Sequence, residues 1–267
     1  MAKYALFTCD TELTPPWNTG TWEDMDPWTF EPGVAEIEKV LDKHNIRGTF
    51  YCQGTVAEKF PDIVRILSMK HLIGSHGYNH ENYGGRPVTV WTKTNPVFAG
   101  DYNEKKELIA KSKAAIKNVI GQDPSVFVAP FDWTDPDLVT ILDELGFEID
   151  SSYHNYSLGL PSAFFSPIGR RILELPLSVT WCGDMRYKNI LEAFTYDQNY
   201  ASQLLEQSVL FLTCHPWEFT DINVPHPRKT LIVGSEKIIA LDALISLLKG
   251  NGYLFVDPLQ LRKEVLS

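Results

Sequence analysis

The chain alternates short apolar runs with longer segments of helical periodicity, and this alternation restricts the fold more than any other feature. Residues 4–9, 72–75 and 209–214 have the length and composition of buried strands. Residues 33–44 and 102–120 carry apolar side chains at the spacing of one helix face. Repeated strand–helix units imply a mainly parallel sheet, either open or closed into a barrel.

The rest of the chain continues this pattern without an internal repeat or a linker, so we expect one domain over residues 1–267. Gly121 and Gly146 follow helical segments, where glycine is common at helix C-termini. Residues 13–32 and 83–100 are long and rich in Trp, Pro and Gly, which is typical of loops that wall a binding site. The remaining predicted strands are 47–53, 125–129, 148–151, 173–177 and 253–256, and the remaining predicted helices are 60–69, 137–145 and 235–249.

Polar residues come directly after several of the predicted strands, and this favours the barrel. Asp10 and Glu12 follow the first strand, His76 and His80 follow the third, and His215 follows a late one. Because the carboxyl ends of the strands in a β/α barrel meet in one mouth, we expect these side chains to share a site. The residues that follow the fourth strand are Pro130, Asp132 and Trp133.

The two histidines at positions 76 and 80 have the spacing of metal ligands. Four-residue spacing lets both imidazoles reach one point, either on one face of a helical turn or across a tight loop. Gly74 and Gly77 indicate a bent backbone around that point. Together with Glu12 the pair offers two nitrogens and one carboxylate, which leaves coordination open for water, as a catalytic zinc-type site requires.

The remaining polar residues complete a set for amide hydrolysis. A metal ion lowers the pKa of bound water and polarises a carbonyl group. Asp10 is then free to act as the general base, and His215 could protonate the leaving nitrogen from the opposite side. Trp133 and Trp181 are equally consistent with a substrate platform and with core packing.

Composition excludes several partners. A formal net charge of −10 argues against nucleic acid or an anionic membrane surface as the main partner. No apolar stretch approaches the ~20 residues of a membrane span. The first seven residues are too short and too quickly polar for a signal peptide, and the widely spaced cysteines are typical of reduced core residues, so we expect a cytoplasmic protein. A leader removed from a precursor is the open alternative.

Five short motifs resemble those of the polysaccharide deacetylase family, also called the NodB-homology or carbohydrate esterase family 4 proteins. The resemblance covers nearly the whole chain, and Arg47-Gly48-Thr49-Phe50-Tyr51 is similar to the family's second strand. The five motifs are Phe-Thr-Cys-Asp-Thr-Glu at 7–12, Ser-His-Gly-Tyr-Asn-His at 75–80, Val-Ala-Pro-Phe-Asp-Trp at 128–133, Leu-Glu-Leu-Pro at 173–176 and Leu-Thr-Cys-His-Pro at 212–216.

The resemblance implies an α/β fold, a single-domain distorted (β/α)7 barrel. It also implies a divalent metal, most often zinc, with cobalt or nickel as alternatives, and the removal of N- or O-acyl groups from sugars. The metal ligands would be Glu12, His76 and His80, with Asp10 as base and His215 as acid. The residues implied in substrate binding are Pro130, Asp132, Trp133 and Trp181.

Three departures from the family pattern bear on the substrate. Thr11 stands between Asp10 and Glu12, where many members have two adjacent aspartates. Val128 occupies the place of an arginine that orients the base, and Asp184 is only a loose substitute for the usual Asp-Trp pairing. These features are similar to the branch with intracellular peptidoglycan-deacetylase-like proteins and cyclic-imide or allantoin hydrolases.

We therefore expect a metal-dependent hydrolase of non-peptide C–N bonds, acting on a glycan or a small molecule. An N-acetylated sugar is the leading substrate. One alternative is a cyclic-imide, allantoin or formamido-sugar amidohydrolase, and the other is a non-catalytic carbohydrate-binding protein. The acidic surface and the long aromatic loops allow a homo-oligomer whose subunits build each other's pockets.

Overall fold

The computed structural model describes residues 2–13, 29–84, 98–153, 171–175, 202, 205–221 and 233–266. Within these ranges the strands are β1 (Lys3–Thr11), β2 (Thr49–Cys52), β3 (Leu72–Ser75), β4 (Val126–Phe127), β5 (Ile149–Asp150), β6 (Leu173–Glu174), β7 (Val209–Cys214) and β8 (Tyr253–Phe255). The helices are α1 (Phe30–His44), α2 (Gly54–Lys59), α3 (Pro61–Ser68), α4 (Tyr102–Ile120), α5 (Pro136–Glu144), α6 (Ser235–Gly250) and α7 (Pro258–Leu266).

The strands form one parallel sheet that curls into a half-barrel with helices around it. Its order is β6-β5-β4-β3-β2-β1-β7, and β8 adds to β1. β7 pairs with one edge of β1. On the other edge of β1, β8 pairs with the first residues of the strand and β2 pairs with the last ones. No pairing between the outer strands β6 and β7 occurs in the described part of the chain. The predicted (β/α)7 barrel architecture is confirmed.

Alternation along β1 and β7 separates an inner apolar cluster from an outer one, and a third cluster lies between β4, α4 and α5. Leu6, Tyr51 and Phe211 point into the half-barrel, where Leu261 of α7 joins them. The residues between them on β1 and β7 point outward and pack with α1, α3 and α6 in a second cluster. Burying a side chain of this size stabilises the fold by about 1.5–3 kcal/mol, so the register of the central strands is strongly fixed.

Most predicted elements are present, and the differences lie in short elements. The predicted helix at 102–120 is correct: Asp101 and Glu104 form a capping box at its start, and Gly121 ends it with a φ of 78°. The helices α2 and α7 were not predicted. α2 has only six residues, too few to show a period. α7 begins with Pro258 after Asp257, whose carboxylate accepts from the backbone N–H of Gln260, a start signal that the sequence did contain.

The predicted strands at 125–129, 148–151 and 173–177 are shorter in the structure. Only two residues of each form a ladder among the described residues, and residues 176–177 lie outside the described ranges. α1 begins at Phe30, so the predicted loop at 13–32 ends earlier than expected. Most of the predicted loop at 83–100 lies outside the described residues.

Two further observations concern the hydropathy of the helices and the state of the cysteines. Among the described helices, none combines the length and the hydropathy that a membrane span requires. Cys9, Cys52 and Cys214 are buried and free.

The outer face of β5 and β6 holds a buried pair of carboxyl groups. Asp150 and Glu174 are register partners, and their exposed fractions are 1% and 3%. Asp150 accepts from the backbone N–H and hydroxyl of Ser152, and Glu174 accepts from the backbone N–H of Tyr153. Burial raises the pKa of both groups, and their mutual repulsion raises that of Glu174 further. The pair therefore holds a proton at neutral pH.

Because the folded pair holds this proton, we expect the free energy of unfolding to fall as the pH rises. The folded state keeps a proton that an unfolded glutamate releases above its ordinary pKa, so the free energy of unfolding falls by up to about 1.4 kcal/mol per pH unit. Glu174→Gln removes that dependence and should flatten the slope between pH 6 and pH 9. Urea unfolding across this range measures it, with Glu148→Gln as the control because Glu148 lies exposed one residue before β5. Equal slopes in all three proteins would contradict the shared proton.

Candidate active site

The inner face of the half-barrel carries the predicted polar residues at its carboxyl end. On β1, the inward positions run from Leu6 to Asp10, and on β7 they run from Phe211 to His215. Thr8 and Thr213 join the two strands through a hydroxyl–hydroxyl hydrogen bond of 2.9 Å directly below. The mouth that the alternation predicted therefore exists, and strand register aims these side chains into it.

Glu12, His76 and His80 come together as predicted, with one ligand atom from each within 4.8 Å of the others. Nε2 of His76 lies 3.6 Å from Oε2 of Glu12, close to the ~3.4 Å between two ligands of a tetrahedral ion with bonds of about 2.1 Å. Nε2 of His80 lies 2.5 Å from the same oxygen and would move outward by about 1 Å to reach that spacing.

The environment of His76 fixes its tautomer. Nδ1 of His76 lies 3.0 Å from the carbonyl oxygen of Val128. A carbonyl oxygen only accepts, so Nδ1 carries the proton and donates it. In the neutral ring, Nε2 is then the atom with a free lone pair, and it faces Glu12. This arrangement is the usual outer support of a metal-binding histidine.

His80 is presented by a tight loop, which decides between the two geometries that the spacing allowed. Gly77 has a φ of 71° and His80 a φ of 59°, both in the left-handed region. A non-glycine residue there is strained and is typical of functional sites. The buried carboxylate of Glu81 anchors this loop by accepting from the backbone N–H groups of Tyr78 and Asn79 and from the hydroxyl of Tyr83.

The donor set fits a divalent cation. Oε2 of Glu12 is buried and accepts no hydrogen bond within the described residues, although two imidazole nitrogens surround it. Opposite charges hold the pKa of this carboxyl well below its usual value against the effect of burial, chiefly those of His80 and His215. An ionised carboxylate and two imidazoles are the ligands of a catalytic zinc site with open coordination.

Asp10 and His215 lie beside this group. Nε2 of His215 is 3.8 Å from Oδ2 of Asp10 and 3.7 Å from Oε1 of Glu12. Burial raises the pKa of Asp10, and the imidazoles of His76 and His215 oppose the rise. Burial lowers the pKa of His215, but the carboxylates of Glu12 and Glu218 outweigh it and raise the value to about 9. A cation at Glu12 would neutralise part of this attraction.

Glu218 and Lys237 support His215, and the sequence reasoning missed both. Oε1 of Glu218 accepts from Nδ1 of His215 at 2.6 Å and from its backbone N–H at 3.0 Å. The other oxygen pairs with the ammonium of Lys237, and both side chains are at least 95% buried. Burial opposes ionisation, but Lys237 and His215 lower the pKa of Glu218 to about 2. The three-residue spacing of Glu218 from His215 was a usable signal, whereas nothing pointed to Lys237.

Packing around Trp217 and Gly33 holds this part of the mouth in place. The ring of Trp217 stacks on His215 at 5.0 Å, and its Nε1 donates to Oε1 of Glu12 at 3.3 Å. A Cβ at Gly33 of α1 would lie 1.9 Å from the carbonyl oxygen of Pro216, so only glycine lets the helix approach this turn.

The third motif forms a strained turn at the edge of the mouth. Phe131 and Asp132 have φ values of 63° and 55°. Phe131, whose contacts were not predicted, packs edge-on against the ring of His80 at 4.4 Å and contacts Trp133 at 5.4 Å. Pro130 is buried, while Asp132 and Trp133 are partly exposed. Trp181 and Asp184 lie outside the described residues.

Comparisons with known proteins point to one family. Residues 19–149 match the sequence profile of the polysaccharide deacetylases. A peptidoglycan-N-acetylglucosamine deacetylase from Bacillus cereus is 33% identical over 104 residues, which make up 38% of this chain and 33% of that protein. The matched profile and the curated relatives support the polysaccharide deacetylase family.

Solved structures share the fold. A candidate polysaccharide deacetylase from Mycobacterium smegmatis has a TM-score of 0.68 at 19% identity, over 99% of this chain and 90% of that one. A carbohydrate esterase family 4 pseudoenzyme from Bacillus anthracis has a TM-score of 0.58 at 15% identity, over 95% of this chain and 63% of that one. The fold is therefore shared with a pseudoenzyme and with a mutant of it that has restored enzymatic activity.

The matches are partial in two respects. The chain spans between 33% and 39% of the length of the curated relatives that it matches. The matched profile includes His76, His80 and the turn at Pro130, but it excludes Asp10 and His215. The full constellation in this chain depends on its own geometry.

The first prediction from this geometry concerns metal content. We expect about one divalent ion per chain after incubation with zinc, because three convergent ligands suffice for tight binding. His76→Ala should lose the ion, since two ligands remain. His44→Ala is the matched control because His44 lies outside the mouth, paired with Asp242. Elemental analysis measures both, and equal zinc in the two variants would contradict the assignment.

The second prediction concerns the buried pair of Glu218 and Lys237. Lys237→Met leaves a buried carboxylate without its main partner and should lower the free energy of unfolding by about 3–5 kcal/mol. The double variant with Glu218→Gln should recover much of that loss. Urea unfolding measures both, and Lys106→Met at the exposed Lys106–Glu144 pair should change little. Additive losses in the double variant would contradict the coupling.

Proposed function

We propose that this chain is a metal-dependent hydrolase that removes the acetyl group from the nitrogen of an N-acetylated sugar or polysaccharide. The observation that carries the proposal is the convergence of Glu12, His76 and His80, with Asp10 and His215 beside them. The match to the deacetylase family supports a hydrolase of C–N bonds. Zinc is the proposed ion, with cobalt or nickel as alternatives, and Glu12, His76 and His80 would hold it.

Asp10 is the proposed general base. A divalent cation at this site would lower the pKa of water and polarise the acyl carbonyl. Asp10 is buried and stands next to the carboxylate ligand, where it can take a proton from the attacking water. Its raised pKa makes it a better proton acceptor than an exposed aspartate.

His215 is the proposed general acid. Its pKa of about 9 keeps the ring protonated at neutral pH before the cation binds. Nδ1 donates to Glu218, so Nε2 is the nitrogen that faces the reacting group. From there it gives its proton to the leaving nitrogen, which departs as an amine. Asp10 gains one proton and His215 loses one, so both groups are neutral at the end of the step and must exchange protons with solvent before the next turnover.

The proposed substrate contacts come from the third motif and from Trp181, which lies outside the described residues. Pro130 and the partly exposed Asp132 and Trp133 border the mouth next to His80. A tryptophan face and a carboxylate are suited to the ring and the hydroxyl groups of a sugar. Trp181 stays a prediction from the sequence.

Two other functions are alternatives to a sugar N-deacetylase. Val128 points into the half-barrel, at the position where many members of the family carry an arginine. Because of this difference, cyclic imides, allantoin and formamido sugars are alternative substrates. The fold of a known pseudoenzyme keeps a non-catalytic carbohydrate-binding role open.

Free buried cysteines suit a reducing compartment, which supports the proposed cytoplasmic location.

Asp10→Asn tests the proposed chemistry. The amide cannot accept the proton of the attacking water, so turnover should fall by about 100-fold or more, while zinc content stays at the wild-type level. The assay is release of acetate from N-acetylglucosamine oligomers, run in parallel with cyclic imides, allantoin and a formamido sugar.

Each outcome of this panel has a separate meaning. Release of acetate from the oligomers would support the sugar deacetylase. Turnover of only an imide, allantoin or a formamido sugar would support the alternative amidohydrolase. Full activity of Asp10→Asn would overturn the assignment of the base. Zinc-loaded protein that binds the oligomers without turnover would support the binding protein.

A further inference from the structure

A buried amide that has no hydrogen-bond partner among the described residues lies next to the proposed metal ligands. Gln53 has no exposed surface, and neither Nε2 nor Oε1 of its side chain makes a hydrogen bond with any described residue. A buried polar group without a partner costs stability, and such groups are retained mainly where function needs them. A leucine would fill similar volume without this cost.

The sheet register places Gln53 in the same row as Glu12 and His76. β1 and β2 pair up to Thr11 and Cys52, and β2 and β3 pair up to Cys52 and Ser75. The next residue on each strand is Glu12, Gln53 and His76 in that order. The ladder continues across this row, because the backbone N–H of Gln53 donates to the carbonyl oxygen of Thr11 at 3.3 Å and that of His76 donates to Cys52 at 2.8 Å.

The backbone directs the Gln53 side chain into the half-barrel. Its φ and ψ of −66° and 146° are extended, so the side chain continues the alternation of β2. Tyr51, two residues earlier, belongs to the inner apolar cluster. Gln53 is also the residue before α2, but it makes no capping hydrogen bond there. A structural role as a helix cap is therefore absent.

We propose that Gln53 is a positioning residue for Glu12. Its amide N–H donates to the Glu12 carboxylate when a divalent cation is bound, which holds the carboxylate in its ligand orientation. Each carboxylate oxygen has two lone pairs, so an oxygen that binds a cation still accepts an N–H. Ligand carboxylates are usually hydrogen-bonded in this way. Trp217 already donates a hydrogen bond to Oε1 of Glu12, whereas Oε2 accepts no hydrogen bond from any described residue. The inference rests on the proposed function.

The test separates stability from metal affinity, because the proposal moves them in opposite directions. In Gln53→Leu the melting temperature of the metal-free protein should rise, since the unpaired amide is gone. The zinc dissociation constant should increase by about 10–100-fold, the usual effect of losing a supporting contact. The visible absorption of the cobalt-loaded variant should also shift, because the ligand geometry changes.

Thr49→Val is the matched control. Thr49 is buried on the same strand, and its hydroxyl also lacks a partner among the described residues. It pairs with Thr8, four residues before Glu12. This variant should also gain stability, but its zinc affinity and cobalt spectrum should match those of the wild type. If Gln53→Leu does not fold, Gln53→Met repeats the test with an unbranched side chain.

The outcomes separate this proposal from the proposed function. Wild-type protein that takes up no zinc or cobalt overturns both. If the wild type binds zinc, a Gln53→Leu variant that keeps wild-type zinc affinity, or one that loses stability, overturns the role of Gln53 alone. Loss of affinity together with a gain in stability supports it, whether or not N-acetylglucosamine oligomers are hydrolysed.

Discussion

The structure depends on the burial of the Glu12 carboxylate at the end of the central strand. A buried carboxylate is costly unless opposite charge and hydrogen bonds surround it. Here two imidazoles lie close to Oε2 of Glu12, and the indole of Trp217 donates a hydrogen bond to Oε1. The strained backbone at His80 persists because Glu81 anchors its loop. The loop, the strand end and the turn after β7 are thus arranged around one charge.

A second electrostatic chain extends from this charge into the protein. His215 lies between Glu12 on one side and Glu218 on the other, and Lys237 of α6 balances Glu218. The alternation of anion and cation keeps each buried group paired. It also attaches the proposed acid to a helix that packs on the sheet.

Much of the fold and the core of the candidate site could be predicted from the sequence. Residues 72–75, 102–120 and 209–214 form the predicted elements without change, because long periodicity and caps are local signals. The short helices α2 and α7 were missed, since their length shows little period. The third motif includes Phe131, but its contact with His80 and the role of Lys237 could not be predicted, because each depends on a contact between segments that are distant in the sequence.

The sequence by itself determined the donor chemistry and the side of the sheet that carries it. Residue type decides which atoms can bind a cation or move a proton, and a period of two decides which face a strand residue takes. Only the tertiary structure decided which groups support them. Register placed Gln53 beside Glu12, and helix packing placed Lys237 against Glu218. Such pairings depend on distances across the folded chain, and no local pattern of residues encodes them.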